Sequence, residues 1–219
     1  MKNIVIFGSS GYSKKIISIA EINGFKIAGF IDSFRLPGEE TLGYRVLGQE
    51  QDIPSLIDKY QIEGIFIGVC DNYLRSKLAE KVSAISPTLE FITLIHPSAV
   101  IARNVIIGRG SVIMAGVVIE PDTKIGDFCL LNIHSILSHD CTMSNCSSLG
   151  PKAAVAGHCN IGSYTSINIG STIINKIDIG MHTVVCAGSC VAKDIPSFKV
   201  AAGNPARVIR ERQPDEKYL

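Results

Sequence analysis

An excess of one charge, long apolar runs and paired cysteines are all missing from this 219-residue sequence. Lysine and arginine number 21 against 20 for aspartate and glutamate, so no basic field attracts nucleic acid or an anionic membrane. No stretch of about eighteen apolar residues occurs, and the N-terminal apolar run is too short for a signal peptide, so we expect a cytoplasmic protein. Small molecules and proteins remain as the expected partners.

The seven cysteines include no Cys-x-x-Cys pair. The shortest spacing, between Cys186 and Cys190, fits neither a zinc ribbon nor a disulfide scaffold. We therefore expect reduced thiols, with Cys129, Cys141 and Cys159 serving as small buried side chains. No metal is assigned to them.

What the sequence does contain is a period of six. Sixteen successive positions at six-residue steps are apolar, and with 46% of the chain hydrophobic the chance of this is roughly four in a million. These rung positions are Ile101, Ile107, Ile113, Ile119, Ile125, Leu131, Leu137, Met143, Leu149, Val155, Ile161, Ile167, Ile173, Ile179, Val185 and Val191. Six is the hexapeptide repeat of a parallel β-helix, in which stacked coils bury a shared core.

A second series of mostly small residues precedes each rung by two positions, beginning at Ala99 and ending at Ser189. Alanine, serine, cysteine and threonine dominate it, as a tight corner beside a large buried side chain requires. Three hexads make one triangular turn, so the rungs predict about five coils. We predict that the last coil ends at 194–196.

The N-terminal residues follow a different pattern. An apolar run at 3–8 ends in Gly8-Ser9-Ser10-Gly11, helical spacing follows, and a second apolar run at 26–31 ends in Asp32. This order is that of a βαβ unit, which places phosphate or ribose groups at a helix N-terminus. The loop lacks the full Gly-x-Gly-x-x-Gly pattern, so a nucleotide carried by another group fits as well as a dinucleotide cofactor.

The rest of this region alternates between elements. We predict a loop at 33–43, a helix at 53–60, a strand at 62–69, a helix with Leu74, Leu78 and Val82 on one face, and a strand at 89–94. The sequence thus predicts a Rossmann-like α/β domain over 1–94, a β-helix over 95–196 and a C-terminal cap or tail over 197–219.

Together these motifs resemble the hexapeptide-repeat sugar O- and N-acetyltransferases that carry an N-terminal Rossmann-like domain. That group includes sialic acid O-acetyltransferases and enzymes acting on nucleotide-linked 4-amino-4,6-dideoxy sugars of the bacillosamine and perosamine type. The resemblance runs through Gly8-Ser9-Ser10-Gly11, Phe30-Ile31-Asp32, Asp71-Asn72, Ile95-His96-Pro97-Ser98-Ala99-Val100, Ser138-His139-Asp140-Cys141 and Gly203-Asn204-Pro205-Ala206. It implies a left-handed β-helix, a homotrimer with active sites between subunits, acetyl-coenzyme A as donor and a place in polysaccharide biosynthesis.

The polar stretch at 132–140 is the expected catalytic region. Acetyl transfer from a thioester needs a base for the incoming amine or hydroxyl and a donor for the oxyanion. His139 follows rung Leu137 by two positions, where the chain turns a corner, and Asp140 follows directly. The resemblance implies that His139 is the general base and Asp140 its partner, the alternative being a solvent-facing turn histidine. His134 is either a corner residue or part of the acceptor pocket.

Further site residues are implied by the resemblance alone. Those expected around the nucleotide, its phosphates and the acceptor sugar are Gly8, Gly11, Tyr12, Asp32, Asn72 and Asn132. Those expected along the coenzyme are Gly157, Ile169 and Gly188. Gly157, with its backbone N–H directed at the thioester carbonyl, lies eighteen residues after His139, so the repeat predicts both at one corner on adjacent coils.

Three positions depart from the family pattern. Tyr12, Cys70 and Ser148 stand where the family often has histidine, glycine and histidine. Tyr12 retains a hydroxyl but does not titrate near neutrality, Cys70 adds bulk, and Ser148 removes a ring on the donor side. These departures leave the identity of the acceptor open.

Two other classes of function compete. A hydratase of the γ-carbonic anhydrase kind shares the β-helix and the spacing of His134 and His139, but His96 lies 38 residues before His134, out of phase with the repeat. A nucleotide-sugar sensor with a dead site is disfavoured by the intact motif around His139. Within the acetyltransferases, a nucleotide-binding domain favours N-acetylation of a nucleotide-linked 4-amino-4,6-dideoxy sugar over O-acetylation of a sialic acid. We expect acetyl-CoA as co-substrate and no metal.

Overall fold

The computed structural model describes residues 1–217 and contains two compact units. The first comprises Met1–Cys70 and Leu74–Leu94, and the second comprises Asp71–Tyr73 together with the chain from Ile95 onward. The domain boundaries predicted at 94/95 and 196/197 stay predictions, and positions 218 and 219 of the predicted tail lie outside the described residues.

The first unit has the alternating elements that the sequence predicts. Its elements are β1 (Asn3–Phe7), α1 (Ser13–Ile22), β2 (Lys26–Ile31), β3 (Glu40–Thr41), β4 (Tyr44–Gly48), a 3₁₀ turn (Glu50–Asp52), α2 (Ile53–Tyr60), β5 (Gly64–Ile67), α3 (Asn72–Ile85) and β6 (Glu90–Phe91). The sheet order is β3-β4-β2-β1-β5-β6, parallel except for the β3–β4 pair.

Burial explains this architecture. Every residue of the interior strand β5 is buried, as expected for a parallel strand covered on both faces. Helix α1 buries Ile16, Ile17, Ile19 and Ala20, which are the positions that carry its helical spacing. The predicted Rossmann-like α/β fold is therefore confirmed.

One local prediction in the first unit is wrong, and a second holds only in part. The expected loop at 33–43 contains β3, which forms a hairpin with β4 through Leu42 and Gly43, both at positive φ (48° and 80°), as a tight hairpin turn requires. Leu74 is 44% exposed, whereas Leu78 and Val82 are buried. A row of residues four apart drifts about 40° around a helix at each step, so the row leaves the buried face.

The second unit is built from two-residue strands that stack as three parallel sheets, except that its last two strands are longer and pair antiparallel. They are β7 (Leu94–Ile95), β8 (Val100–Ile101), β9 (Ile106–Ile107), β10 (Val112–Ile113), β11 (Val118–Ile119), β12 (Lys124–Ile125), β13 (Leu130–Leu131), β14 (Ile136–Leu137), β15 (Thr142–Met143), β16 (Ser148–Leu149), β17 (Ala154–Val155), β18 (Asn160–Ile161), β19 (Ser166–Ile167), β20 (Thr172–Ile173), β21 (Asp178–Ile179), β22 (Val184–Val185), β23 (Cys190–Val191), β24 (Lys199–Gly203) and β25 (Ala206–Glu211). Parallel partners are eighteen residues apart, as in Ile119 with Leu137. The predicted left-handed parallel β-helix is confirmed.

The rung series forms the core of this β-helix. Rungs from Ile113 to Val191 are at most 2% exposed, whereas Ile101, in the first coil, is 36% exposed because no coil precedes it in the stack. From Ser111 onward the small-residue series is also buried. Ser111 Oγ donates to the Gly126 carbonyl at 3.0 Å, whereas the buried Ser135 Oγ has no hydrogen-bond partner within the described residues. Cys129, Cys141 and Cys159 are buried free thiols, as expected.

The β-helix does not end where the period ends. Ile195 bridges to Ile179, and Ala201 of β24 pairs with Val185, so each lies sixteen residues after its partner instead of eighteen. The predicted stop at 194–196 therefore marks the end of the six-residue count, whereas the parallel pairing continues into β24. A coil shortened by two residues keeps its hydrogen bonds but breaks the six-residue count. Strand β25 then pairs antiparallel with β24.

No helix within residues 1–217 is both long and apolar enough to cross a membrane.

Candidate active site

One corner of the β-helix is polar at every coil. The corner residues Asn104, Asp122, Asp140, His158 and Lys176 recur at eighteen-residue intervals and all have φ between 56° and 60°. Left-handed backbone is uncommon outside glycine, and asparagine, aspartate and histidine are enriched there. The backbone geometry of the corner thus favours polar side chains, and those of Asp140 and His158 are 46% and 52% exposed.

His139 and Asp140 form a hydrogen-bonded pair at this corner. His139 Nδ1 lies 2.8 Å from Asp140 Oδ2, and the backbone N–H of His139 donates to Glu120 Oε2 at 3.1 Å. The hydrogen bond to Asp140 raises the pKa of His139 above its ordinary value and, reciprocally, lowers the pKa of Asp140. With Nδ1 engaged, Nε2 is the ring nitrogen left for proton transfer.

Gly157 lies directly against the His139 ring. A Cβ at Gly157 would be 2.6 Å from His139 Cε1 and 2.7 Å from Nε2, so only glycine leaves room for the ring. The predicted placement of these two residues at one corner on adjacent coils is confirmed. Within residues 1–217, the backbone N–H of Gly157 has no acceptor, whereas the equivalent N–H of His139 donates to Glu120.

His158 is a residue of this corner that the sequence reasoning did not select. Its Nε2 lies 3.8 Å from Asp140 Oδ2, and its ring meets that of His139 edge-on at 5.1 Å and 90°. Potential metal-ligand atoms of His139, Asp140 and His158 lie within 4.8 Å of one another. Among the described residues, these three side chains form a group that is able to hold a metal ion. The sequence feature that predicts the position of His158 at this corner is its spacing of eighteen residues from Asp140.

The other predicted residues near the acceptor are less distinctive. Asn132 is half-buried, and its side-chain oxygen accepts the backbone N–H of Ile133 at 2.9 Å. The His134 ring packs over Gly116, where a Cβ would lie 2.4 Å from Nδ1. His134 thus repeats the histidine-over-glycine arrangement of His139 without an adjacent acid. The substrate role of Asn132 stays a prediction.

The predicted coenzyme residues Ile169 and Gly188 lie elsewhere on the β-helix surface. Ile169 is 53% exposed and lines a cleft of about 310 Å³ with Val184, Cys186 and Arg210. Gly188 is exposed, with open space where a Cβ would stand. An exposed isoleucine in an open cleft is suited to an extended apolar ligand. The coenzyme roles of both residues stay predictions.

Asn72 belongs by its contacts to the second unit and is 1% exposed. Its amide nitrogen lies 3.1 Å from Ser148 Oγ and 3.2 Å from the Thr165 carbonyl. Ser148, one of the departures from the family pattern, is therefore a hydrogen-bond partner of Asn72. The sequence does not predict this contact because the two residues are far apart along the chain. The substrate role of Asn72 stays a prediction.

In the first unit, Asp32 organises the loop after β1. Asp32 Oδ2 accepts the backbone N–H and the hydroxyl of Ser9 at 2.9 and 2.6 Å, and Oδ1 accepts the N–H groups of Phe34 and Arg35 at 2.9 and 3.2 Å. Burial alone would raise the pKa of Asp32, but these hydrogen bonds hold it below its usual value. Asp32 is 7% exposed, so its carboxylate stabilises the loop and is not accessible from solvent.

The glycine loop leaves backbone donors at the start of α1. Gly8 N–H donates to the Ile31 carbonyl at 2.7 Å, while the N–H groups of Ser10, Gly11 and Tyr12 have no acceptor in the part of the chain that the structure describes. Free N–H groups at a helix N-terminus suit an anion. Burial raises the pKa of Tyr12, so its phenol stays neutral.

Arg75 is a buried polar residue that the sequence did not predict. Its side chain is fully buried and donates to the carbonyls of Val69 and Cys70 at 3.0 and 2.9 Å. These carbonyls follow β5, so Arg75 fixes the chain segment that leaves the carboxyl end of the sheet. No local motif marks a buried arginine.

Two family profiles match the chain. The PglD N-terminal domain matches residues 3–82, and the bacterial transferase hexapeptide (six repeats) matches residues 86–121. Both matches agree with the fold of the unit in which they mainly lie.

Solved structures extend the match over nearly the whole chain. Perosamine N-acetyltransferase from Caulobacter crescentus, as a histidine-to-asparagine mutant in complex with CoA and GDP-perosamine, is 32% identical with a TM-score of 0.91, covering 96% of this chain and 98% of that chain. The acetyltransferase domain of PglB from Neisseria gonorrhoeae FA1090, in complex with acetyl coenzyme A, is 26% identical with a TM-score of 0.86, covering 95% and 99%. The chain therefore belongs to the hexapeptide-repeat sugar N-acetyltransferases with a PglD-type N-terminal domain.

Curated relatives agree with this family. GDP-perosamine N-acetyltransferase from Escherichia coli O157:H7 is 27% identical over 160 residues, which are 70% of this chain and 69% of that protein. The matched region spans only 24% and 52% of the length of two further curated relatives.

Proposed function

We propose that the chain transfers acetyl from acetyl-CoA to the amino group of a nucleotide-linked 4-amino-4,6-dideoxy sugar, with His139 as general base. The observation that carries the proposal is the His139–Asp140 hydrogen bond at 2.8 Å, formed beside a glycine whose N–H has no acceptor within residues 1–217. The solved relative that holds CoA and GDP-perosamine supports this donor and this class of acceptor.

The chemistry follows from two nitrogen atoms on adjacent coils. The sugar amine attacks the thioester carbonyl, a C–N bond forms, and the amine proton passes to Nε2 of His139. Asp140 keeps the ring oriented and stabilises the imidazolium. The Gly157 N–H donates to the oxyanion, after which the C–S bond breaks and coenzyme A leaves as the thiolate, which takes up a proton.

The remaining site residues bind the two substrates in this proposal. Ile169 and Gly188 contact the coenzyme arm and tail, and Asn132 contacts the acceptor sugar. In the first unit the N–H groups at Gly11 and Tyr12 receive the nucleotide phosphates. Gly8 and Asp32 shape that loop, and Asn72 is a further substrate-binding residue.

The reaction requires a proton acceptor and an oxyanion donor, both of which the protein supplies, so the proposal includes no metal cofactor. It also includes a cytoplasmic homotrimer with active sites between subunits, acting in polysaccharide biosynthesis. The half-exposed state of His139 and Asp140 on one chain supports a second subunit at this corner. Light scattering of the purified protein is expected to give three times the chain mass.

A substrate panel tests the proposed reaction. GDP-, UDP- and dTDP-linked 4-amino-4,6-dideoxy sugars and free sialic acids are each incubated with acetyl-CoA, and thiol release and the mass of the product are measured. We expect N-acetylation of one nucleotide-linked amino sugar. Acetylation of sialic acids alone would replace the proposal with an O-acetyltransferase, and thiol release with no acceptor dependence would refute it.

A further inference from the structure

We propose that His139, Asp140 and His158 bind a divalent transition-metal ion, with Zn²⁺ as the best-suited member, and that the bound ion switches off acetyl transfer. The binding site stands on the geometry of the corner alone. The inhibitory effect rests on the proposed function, because it requires His139 to be the base.

The distances suit a small ion. Asp140 Oδ2 lies 2.8 Å from His139 Nδ1 and 3.8 Å from His158 Nε2, and all three potential ligand atoms are within 4.8 Å of one another. Tetrahedral zinc ligands at about 2.0–2.1 Å from the metal are about 3.4 Å apart. The side chains are 46–52% exposed, so small rotations bring them to that spacing.

The ligand chemistry also suits zinc. Two imidazoles and one carboxylate are a donor set that zinc accepts, and three protein ligands leave a fourth position for water. The carboxylate of Glu120, which accepts the backbone N–H of His139 at 3.1 Å, adds negative charge near the site. A cation is therefore favoured at this corner.

The backbone holds the two histidines in position. The N–H of His158 donates to the carbonyl of His139 at 3.0 Å, which ties adjacent coils together beside the two rings. Rungs Leu137 and Val155 beneath them are 0% and 1% exposed, so the corner rests on a packed core. Binding then orders side chains without moving the backbone.

Inhibition follows from the number of lone pairs on a neutral imidazole. When a metal ion takes the place of the proton on Nδ1 of His139, the ring proton resides on Nε2. Nε2 then has no lone pair to accept the amine proton. The ion also separates His139 from Asp140, which otherwise orients the ring.

Calorimetric titration of the full chain with Zn²⁺, after removal of metal by a chelator, tests the site. The variants are His158→Asn and the control His134→Asn. Both histidines lie at corner positions with left-handed backbone, φ 59° and 55°, which asparagine tolerates. We expect one ion per chain in the wild type and in His134→Asn, and at least about tenfold weaker binding in His158→Asn, equivalent to about 1.4 kcal/mol.

Two further measurements distinguish metal binding from its effect on acetyl transfer. The visible absorption of bound Co²⁺ is expected to report a tetrahedral site in the wild type and to be lost in His158→Asn. Zn²⁺ is expected to inhibit acetyl transfer reversibly in the wild type and to be at least about tenfold less potent on His158→Asn. Equal Zn²⁺ affinity in His158→Asn, or a bound ion with full acetyl transfer, would overturn the proposal. If no sugar is acetylated, the binding and absorption results still decide the metal site.

Discussion

Asp32 and Asp140 are both aspartates that follow a strand, yet the two units use them in opposite ways. Asp32 is 7% exposed and accepts four hydrogen bonds from Ser9, Phe34 and Arg35. Asp140 is about half exposed and is hydrogen-bonded to one side chain, that of His139.

The difference follows from what surrounds each carboxylate. A buried carboxylate is stable only when its oxygens are fully hydrogen-bonded. All the hydrogen bonds of Asp32 therefore go to its own loop, which they stabilise. A half-exposed carboxylate is solvated by water and is free to orient a neighbouring base. We therefore expect changes around Asp140 to affect turnover and changes at Asp32 to affect the stability of the first unit.

The largest effect is expected for His139→Asn. Loss of a general base costs about 10²–10⁴-fold in turnover, while the half-exposed position contributes little to folding. Steady-state acetylation of the accepted sugar gives the rate, and thermal unfolding checks the fold. His134→Asn, at another corner with left-handed backbone, is the matched control for folding and should keep the wild-type unfolding temperature. Turnover of His139→Asn within about twofold of wild type would remove His139 from the mechanism.

Gly157→Ala should come next. Its Cβ would meet the His139 ring at 2.6 Å, so the ring must move, and a displacement of about 1 Å costs roughly 10²-fold in rate. Ala154→Ser, in strand β17 three residues before Gly157, is the control. An unchanged rate in Gly157→Ala would show that the glycine contact has no role in positioning the base.

Asp32→Asn is expected to lower the unfolding free energy by about 2 kcal/mol, because an amide cannot accept from all the donors that converge on this carboxylate. Since the pKa of Asp32 is held below its usual 3.8, the ionised group stabilises the folded state above that pH. This stability is lost as pH falls through the lower pKa of the folded state. Urea unfolding at several pH values should show the wild-type advantage shrinking below about pH 4. An advantage that does not depend on pH would contradict this role.

The smallest effect is expected for Asp140→Asn. The amide oxygen still accepts a hydrogen bond from the ring, but the charge that stabilises the imidazolium is gone, so turnover should fall about tenfold. The measurement is kcat with saturating substrates, and the unfolding temperature should not change. A loss of stability as large as that in Asp32→Asn would erase the distinction between the two carboxylates.

Much of the fold is predictable because buried positions recur at a regular spacing along the sequence. The rungs from Ile113 to Val191 are buried at every sixth position, and the same count predicts that His139 and Gly157 share a corner. The shortened last coil escapes prediction because Ile195 and Ala201 are offset by two residues. The backbone hydrogen bonds in this coil depend on which strands lie side by side. The six-residue period depends only on the number of residues between strands, so a coil two residues shorter breaks the period without breaking the hydrogen bonds.

The candidate site is predictable only in part. The pairing of His139 with Asp140 is visible because the two are adjacent in sequence. His158, the Asn72–Ser148 contact and the buried Arg75 are not visible, since each depends on partners brought close by folding or on burial.

The sequence by itself determines the six-residue period, the βαβ order and the phase that stacks residues eighteen apart. These properties are set by local geometry and by the burial of apolar side chains, which act on residue type and spacing. Only the tertiary structure decides that Asp32 is enclosed by its own loop while Asp140 stays open between two histidines. Exposure and hydrogen-bond partners depend on where distant segments pack, and no spacing rule carries that information.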